Sequence, residues 1–175
     1  SNPEVAYVTD TGVVIADQEG TATILVYSTL AGAIASCNVT VDNPVVKGNV
    51  YTISGLQYKV KKTGKDGTVA CIGSEKKSLK KVKIPASVRI KGKTYKVTAV
   101  TKNAFKDTNI TQVTLGSNIK VIGENAFYGC KKLSTITIKT KKLSKIDKGA
   151  WKKIAKKAQF KVPTGKQQDY KKLLS

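Results

Sequence analysis

The chain has 175 residues, 40% of them hydrophobic, which allows one ordinary domain or two small ones with a core. No run approaches the roughly 18 apolar residues of a membrane-spanning helix. Residues 1–46 carry five acids and no base, whereas residues 47–175 hold all 32 basic residues and six acids, a net charge of +26. This break in composition predicts two units, joined by a linker at residues 44–48.

The first 43 residues are expected to form β-structure. Apolar and polar residues alternate over residues 5–8, 13–15, 22–26 and 34–41, a pattern that predicts antiparallel strands and half of a β-sandwich. The stretch "SNPEVAYVTDTGVVIADQEGTATILV", followed later by "CNVTV", resembles the C-terminal part of a bacterial immunoglobulin-like domain of group 2. The resemblance implies a partial domain at residues 1–43 that serves as a stalk on a surface protein.

Residues 49–74 open the basic unit and predict a β-hairpin. "NVYTISGLQYKV" and "TVACIGSE" flank the turn-forming stretch "KKTGKDG", in which Asp66-Gly67 is the expected turn. We expect this hairpin to cover the first of the repeats that follow, since an exposed end repeat would leave apolar surface in water.

Two signatures recur after the hairpin. An apolar-x-x-apolar-x-x-x-Ala-aromatic pattern ends at Phe105, Phe127 and Trp151, at spacings of 22 and 24 residues. Between these anchors, an apolar-x-x-apolar-x-apolar pattern begins at Leu79, Ile110 and Leu133, with a shortened last copy at residues 160–162. The second pattern resembles the strand pattern of a leucine-rich repeat. A period of this length predicts coils that must stack on their neighbours to bury an apolar side, which makes a short solenoid.

The copy "VIGENAFYGCKKLSTITI" resembles the BspA type of leucine-rich repeat. Gly123, Ala126, Phe127, Cys130 and Leu133 stand on the motif positions. Other copies depart from the motif at Thr101 for the Gly, Thr108 for the Cys and Trp151 for the Phe. The resemblance implies a bacterial surface or secreted protein whose residues 49–175 form the leucine-rich repeat domain.

The C-terminal stretch "VPTGKQQDYKKLL" predicts a short helix within residues 164–175. Tyr170, Leu173 and Leu174 fall on one face of this helix, which we expect to close the last repeat. The predicted fold class is therefore mainly β: a short leucine-rich-repeat solenoid with hairpin and helix caps, preceded by a partial immunoglobulin-like β-sandwich.

The sequence predicts neither an enzyme nor a cofactor or metal site. It contains no histidine and no Cys-x-x-Cys pair, and the six acids of the basic unit are scattered. Cys37, Cys71 and Cys130 are expected to be buried small apolar residues.

The positive charge leaves two interpretations open. A single arginine against 31 lysines argues against specific nucleic-acid recognition, which favours arginine and stacking aromatics. A solvated lysine surface that keeps the protein soluble is one interpretation. An attraction to anionic cell-wall polymers, mucins or host glycans is the other.

The outward positions of the repeat strands predict a ligand face, because they line up from coil to coil. A protein or glycan of a host or neighbouring cell is the expected partner of an extracellular monomer that does not insert into membranes. The alternative is a basic structural module without its own ligand, held at the anionic cell wall. The candidate residues are Lys81 and Lys83, Gln112 and Thr114, Thr135 and Thr137, and Gln159 and Lys161.

Overall fold

The computed structural model describes residues 2–16, 20–27, 32, 34–41, 44–76 and 78–174 and is mainly β, with one short helix in these ranges. The chain divides into two compact units, Ser1–Pro44 and Val45–Ser175. The boundary between the units lies close to residue 47, where the sequence changes from acidic to basic. Each unit has its own cluster of buried side chains.

The first unit consists of two antiparallel strand pairs. Strand β1 (Ala6–Val8) pairs with β2 (Val14–Ala16), and β3 (Gly20–Tyr27) pairs with β4 (Ile34–Val41). This matches the predicted antiparallel segments. Whether they belong to an immunoglobulin-like sandwich stays a prediction.

The core of the first unit is small. Val5, Ala6 and Ala22 are its buried hydrophobic residues, whereas Tyr27 and Ile34 are 64% and 67% exposed. Cys37 lies on β4 and is also exposed, so the expectation that all three cysteines are buried was wrong for this one. The physical reason is that no second layer among the described residues of this unit covers β4.

The second unit contains eleven strands in the described ranges, arranged in two sheets. In chain order they are β5 (Val50–Ile53), β6 (Leu56–Lys62), β7 (Thr68–Ser74), β8 (Lys81–Ile84), β9 (Ser87–Ile90), β10 (Lys93–Val100), β11 (Gln112–Leu115), β12 (Val121–Ile122), β13 (Thr135–Ile138), β14 (Lys145–Ile146) and β15 (Gln159–Lys161). The larger sheet has the order β14-β12-β10-β7-β6-β5, with β9 on β10. The smaller one has the order β15-β13-β11-β8 and is parallel throughout.

The repeat register is visible in both sheets and in the turns between them. In the smaller sheet, Val113 lies beside Val82 on one side and Ile136 on the other, all buried. The Ala-aromatic turns form a further ladder, because the Phe105 N–H donates to the Ala126 carbonyl at 2.8 Å and the Phe127 N–H to the Ala150 carbonyl at 3.0 Å. Equivalent residues of successive repeats are therefore neighbours in space.

The motif glycine of the best-preserved repeat allows the turns to approach each other closely. A Cβ atom on Gly123 would lie 2.6 Å from the backbone nitrogen of Lys102 in the preceding repeat. The preceding copy carries Thr101 at this position, which lies beside the N-terminal strands instead and donates its N–H to the Cys71 carbonyl at 2.9 Å.

An aromatic stack connects the Ala-aromatic turns of successive repeats. The rings of Phe105 and Phe127 are 5.3 Å apart with an interplanar angle of 8°, and those of Phe127 and Trp151 are 4.7 Å apart at 5°. Phe160 meets the edge of Trp151 at 5.4 Å and ends the stack. Because the 22- and 24-residue spacings place one ring per repeat, the stack is a direct product of the sequence period.

The N-terminal end of the second unit is more elaborate than the sequence predicted. Residues 49–74 form two consecutive hairpins, β5–β6 and β6–β7, where the sequence predicted one. The additional turn is Ser54-Gly55, whose φ angles of 51° and 77° are those of a type I′ turn. Apolar residues alternate on both sides of this dipeptide, which is also the pattern of a single longer strand.

The C-terminal helix α1 (Gln167–Leu174) attaches to the last repeats through one buried tyrosine. The Tyr170 hydroxyl donates to the Thr140 carbonyl at 2.8 Å and accepts from the Leu143 N–H at 3.2 Å. Leu173 and Leu174 pack against the core, as the sequence pattern predicted. The helix covers the end of the repeat array at β14.

Replacing the middle ring of the stack is expected to be the most damaging single change in the second unit. We expect Phe127→Ala to lower the free energy of unfolding by about 3–5 kcal/mol, because it removes a fully buried ring with stacked partners on both sides. Urea unfolding followed by the fluorescence of Trp151, the only tryptophan, reports on this unit.

Lys131→Ala is the matched control for this substitution. Lys131 is exposed four residues further on in the same repeat, so the change should stay within about 0.5 kcal/mol. A loss below about 1 kcal/mol for Phe127→Ala would contradict the role given to the stack.

The helix attachment can be tested through its hydroxyl group alone. Tyr170→Phe leaves a buried carbonyl and a buried N–H without their partner, and we expect it to cost about 1–3 kcal/mol. The Leu143 amide should also exchange its hydrogen faster. Tyr51→Phe, which removes the hydroxyl of a half-buried tyrosine on β5, is the control, and equal effects of the two substitutions would refute the attachment.

Candidate functional site

The eight sequence-predicted residues lie side by side on the smaller sheet. The register aligns Lys81, Gln112, Thr135 and Gln159 in one row and Lys83, Thr114, Thr137 and Lys161 in a second row. We call these two rows the strand face. All eight side chains are exposed or half-buried, whereas Val82, Val113 and Ile136 between them point inward and are buried.

The strand face combines a neutral centre with basic margins. Its two central strands present threonine hydroxyls and the Gln112 amide, and its two edge strands present lysines. Neighbouring strands lie about 4.8 Å apart, so the polar side chains of each row follow one another at about that spacing. The described part of this face carries no aromatic side chain. The arrangement can supply hydrogen bonds and flanking positive charge to a hydroxylated or acidic ligand lying across the strands, and it forms no deep pocket.

A second exposed feature lies on the turns. The Lys106 ammonium lies 5.7 Å from the centroid of the Tyr128 ring, and the Lys153 ammonium lies 5.2 Å from it. A hydrogen bond to Tyr128 raises the pKa of Lys153 above its ordinary value. Sequence reasoning missed this cluster. The one sequence feature that indicates this cluster is the aromatic Tyr128 directly after the buried Phe127, at a turn position where the other copies carry lysine.

Most of the lysine charge is not neutralised by ion pairs. Four lysine–carboxylate pairs occur among the described residues, and they are Lys96–Asp66, Lys102–Glu124, Lys145–Asp147 and Lys166–Asp169. Hydrogen bonds to Asp147 and Asp169 raise the pKa of Lys145 and of Lys166. Because the basic unit has only six acids for its 32 basic residues, the surface remains strongly positive.

The buried thiols are unsuited to nucleophilic chemistry. Burial raises the pKa of Cys71 from 9.0 to about 12. Burial also raises the pKa of Cys130, whose Sγ donates to the Phe105 carbonyl at 2.9 Å. Within the described ranges, no group of three or more His, Cys, Asp or Glu side chains is placed to hold a metal ion.

No helix in the part of the chain that the structure describes is long and apolar enough to cross a membrane.

Comparison with family models confirms the resemblance of the repeats. A model described as BspA type leucine rich repeat region matches residues 73–172 in six copies, more than half of the chain. A search of curated proteins finds no significant match. The preceding immunoglobulin-like domain is not part of the match and stays a prediction.

Solved structures with a similar fold are bacterial leucine-rich repeat proteins. A leucine rich cell surface protein from Faecalibacterium prausnitzii A2-165 is 24% identical with a TM-score of 0.54, over 69% of this chain and 32% of that one. A leucine-rich repeat protein from Bacteroides capillosus ATCC 29799 is 21% identical with a TM-score of 0.49, over 65% of this chain and 98% of that one. The chain thus spans about a third of the Faecalibacterium protein, and the likeness is one of fold.

Thiol reactivity should separate the cysteines by their burial. At pH 8 we expect one thiol per native chain, that of exposed Cys37, to react with a disulfide reagent, and three thiols in denaturant. Cys37→Ser should leave the native chain unreactive. Rapid labelling of Cys71 or Cys130 in the native chain would contradict this assignment.

Folding raises the pKa of Cys71. The contribution of its buried thiol to the free energy of unfolding is therefore complete below pH 9.0 and is lost as the pH rises towards about 12.

Proposed function

Because the chain belongs to the BspA-type leucine-rich repeat family, we propose that it is a binding module of a bacterial surface or secreted protein. Its partner is a protein or glycan of a host or neighbouring cell, recognised by the strand face. The Faecalibacterium structure of similar fold is that of a cell surface protein, which supports the extracellular location.

The observation that carries this proposal is the alignment of polar positions on the strand face. Residues from four different strands, separated by 23 to 31 residues in sequence, are direct neighbours with outward side chains. A row fixed by backbone pairing offers hydrogen-bonding groups at regular intervals without ordering a loop, which lowers the entropy cost of binding. A flat, polar, aromatic-poor row suits a wet contact of modest affinity with an extended polymer or a protein surface.

The proposed architecture is a head on a stalk. Residues 49–175 form the head, a short solenoid closed by the N-terminal strands and by α1, and the parallel register of the repeats supports this. Residues 44–48 form the linker. Residues 1–43 form the stalk, a partial immunoglobulin-like domain, which the antiparallel strand pairs support. The module acts by binding, without catalysis or cofactor.

The uncompensated lysine charge favours a second candidate, a ligand-free structural module held at the anionic cell wall. A net charge of +26 on residues 47–175 would attract any polyanion through counterion release. The two candidates differ in their response to salt. Binding of the structural module to a polyanion weakens at high salt, because exposed charges more than about 10 Å apart are screened at 0.1 M salt. Binding of one partner by the strand face is retained.

The test measures binding of the purified chain to extracellular-matrix proteins, mucins, wall polymers and an unrelated polyanion, at physiological and at high salt. Gln112→Ala with Thr135→Ala removes two neighbouring polar groups from the centre of the strand face. We expect retention of one partner at high salt, and about a tenfold loss of affinity in the double variant, as two lost hydrogen bonds would give.

Asn109→Ala with Ser117→Ala is the matched control, since both residues are exposed and neither lies on a strand. This control should bind like the original chain. The strand-face proposal is wrong if three results occur together: every anion binds alike, high salt abolishes all binding, and the double variant binds like the original chain. The structural module is then the remaining candidate.

A further inference from the structure

A groove lies at one end of the smaller sheet, between the β5–β6 hairpin and β8. It has a volume of about 370 Å³, and we call it the edge groove. Its apolar lining includes Leu56, Tyr58, Leu79, Val82 and Val88, and Lys81 and Lys83 also border it. The groove adjoins the strand face and shares Lys81 and Lys83 with it, but its apolar lining includes Val82, whose side chain points to the inner side of the sheet.

Strand β8 has an unpaired edge beside this groove. It is the last strand of the smaller sheet, and it pairs only with β11 in the part of the chain described. The N-terminal strands β5 to β7 extend the larger sheet instead. The hairpins that close the first repeat therefore leave the edge of the smaller sheet open.

The backbone register tells which groups face the open edge. The Lys80 carbonyl accepts the N–H groups of Thr111 at 2.6 Å and Gln112 at 3.3 Å, so it points towards β11. Backbone groups of successive residues point to opposite edges of a parallel strand. The N–H and carbonyl groups of Lys81 and Lys83 are thereby directed to the open edge.

The side chains of β8 determine the chemistry that a further strand would need. Lys81 and Lys83 are exposed on one side of the sheet, and Val82 and Ile84 are buried on the other. Residues directly opposite each other on paired strands interact, and opposite charges stabilise such pairs. A strand beside β8 would match it with acidic residues next to the lysines and apolar residues next to Val82 and Ile84.

We propose that the edge groove binds an extended acidic segment of a protein partner, which pairs with β8 as a fifth strand of the smaller sheet. Its acidic side chains face Lys81 and Lys83, and the alternate apolar side chains enter the groove beside the half-buried Ile53 and Leu79. Main-chain hydrogen bonds supply affinity and the alternating side chains supply specificity, as in strand addition generally.

The combination of features favours this occupant over a polyanionic polymer. A glycan or nucleic acid would satisfy the two lysines but would leave the strand edge unpaired and the half-buried Ile53 and Leu79 of the groove uncovered. An extended acidic peptide meets all three features at once, and it is complementary to the net charge of +26 on residues 47–175.

The test uses the full chain and a blocked seven-residue peptide of alternating valine and glutamate, followed by fluorescence anisotropy at 0.15 M salt. Two further peptides carry N-methyl groups on alternate residues, one on the valines and one on the glutamates. Because only one edge of the peptide can pair with β8, we expect one N-methylated peptide to bind and the other to lose at least tenfold in affinity. Equal affinities of these two peptides would overturn strand pairing.

Charge reversal locates the site. Lys81→Glu with Lys83→Glu should weaken binding of the glutamate peptide by about tenfold and allow binding of a valine–lysine peptide, because each cross-strand charge pair changes sign. Lys139→Glu with Lys141→Glu makes the same change in net charge at two exposed positions off the groove and should alter affinity less than twofold. Equal losses in the two variants, or no binding to the original chain, would overturn the proposal.

Discussion

The structure depends on one constraint: no single repeat of this chain can bury its own apolar side. Phe127 is fully buried only because Phe105 covers one face of its ring and Trp151 covers the other. The same stacking brings the Phe105 and Phe127 N–H groups to carbonyls of the next repeat. Side-chain burial and backbone hydrogen bonding therefore require the same register, and the outward residues of the strands align as a consequence.

Features tied to the repeat period were predictable from the sequence. The spacing of Phe105, Phe127 and Trp151 gave one ring per repeat, and the strand pattern gave the inward Val113 and the outward Gln112. The face of α1 that carries Tyr170 followed from helical spacing. Each of these rests on local periodicity, which is the strongest signal that a single sequence carries.

Features that depend on distant contacts were not predictable. The Ser54-Gly55 turn was missed because alternation continues on both sides of it. Cys37 is exposed because nothing in the described part of its unit covers its strand, which composition could not reveal. The edge groove arises where the β5–β6 hairpin passes β8, two segments whose approach has no local sequence signal.

The two ends of the repeat array are closed in different ways. At the C-terminal end, the Tyr170 hydroxyl satisfies two buried backbone groups and α1 covers β14. At the N-terminal end, the hairpins continue the larger sheet past β7 but leave the edge of β8 without a partner strand in the described ranges. An unpaired strand edge invites pairing with another chain, and the lysines of β8 restrict which chains can pair with it.

Native-state hydrogen exchange of the turn amides tests the central claim that the repeats unfold cooperatively, as one unit. The Phe105, Asp107, Phe127 and Gly129 N–H groups each donate to the following repeat. If stacking is the common constraint, these four amides should exchange slowly and through one shared opening with a single free energy. Independent exchange of the two turns, each with its own low opening free energy, would contradict the account.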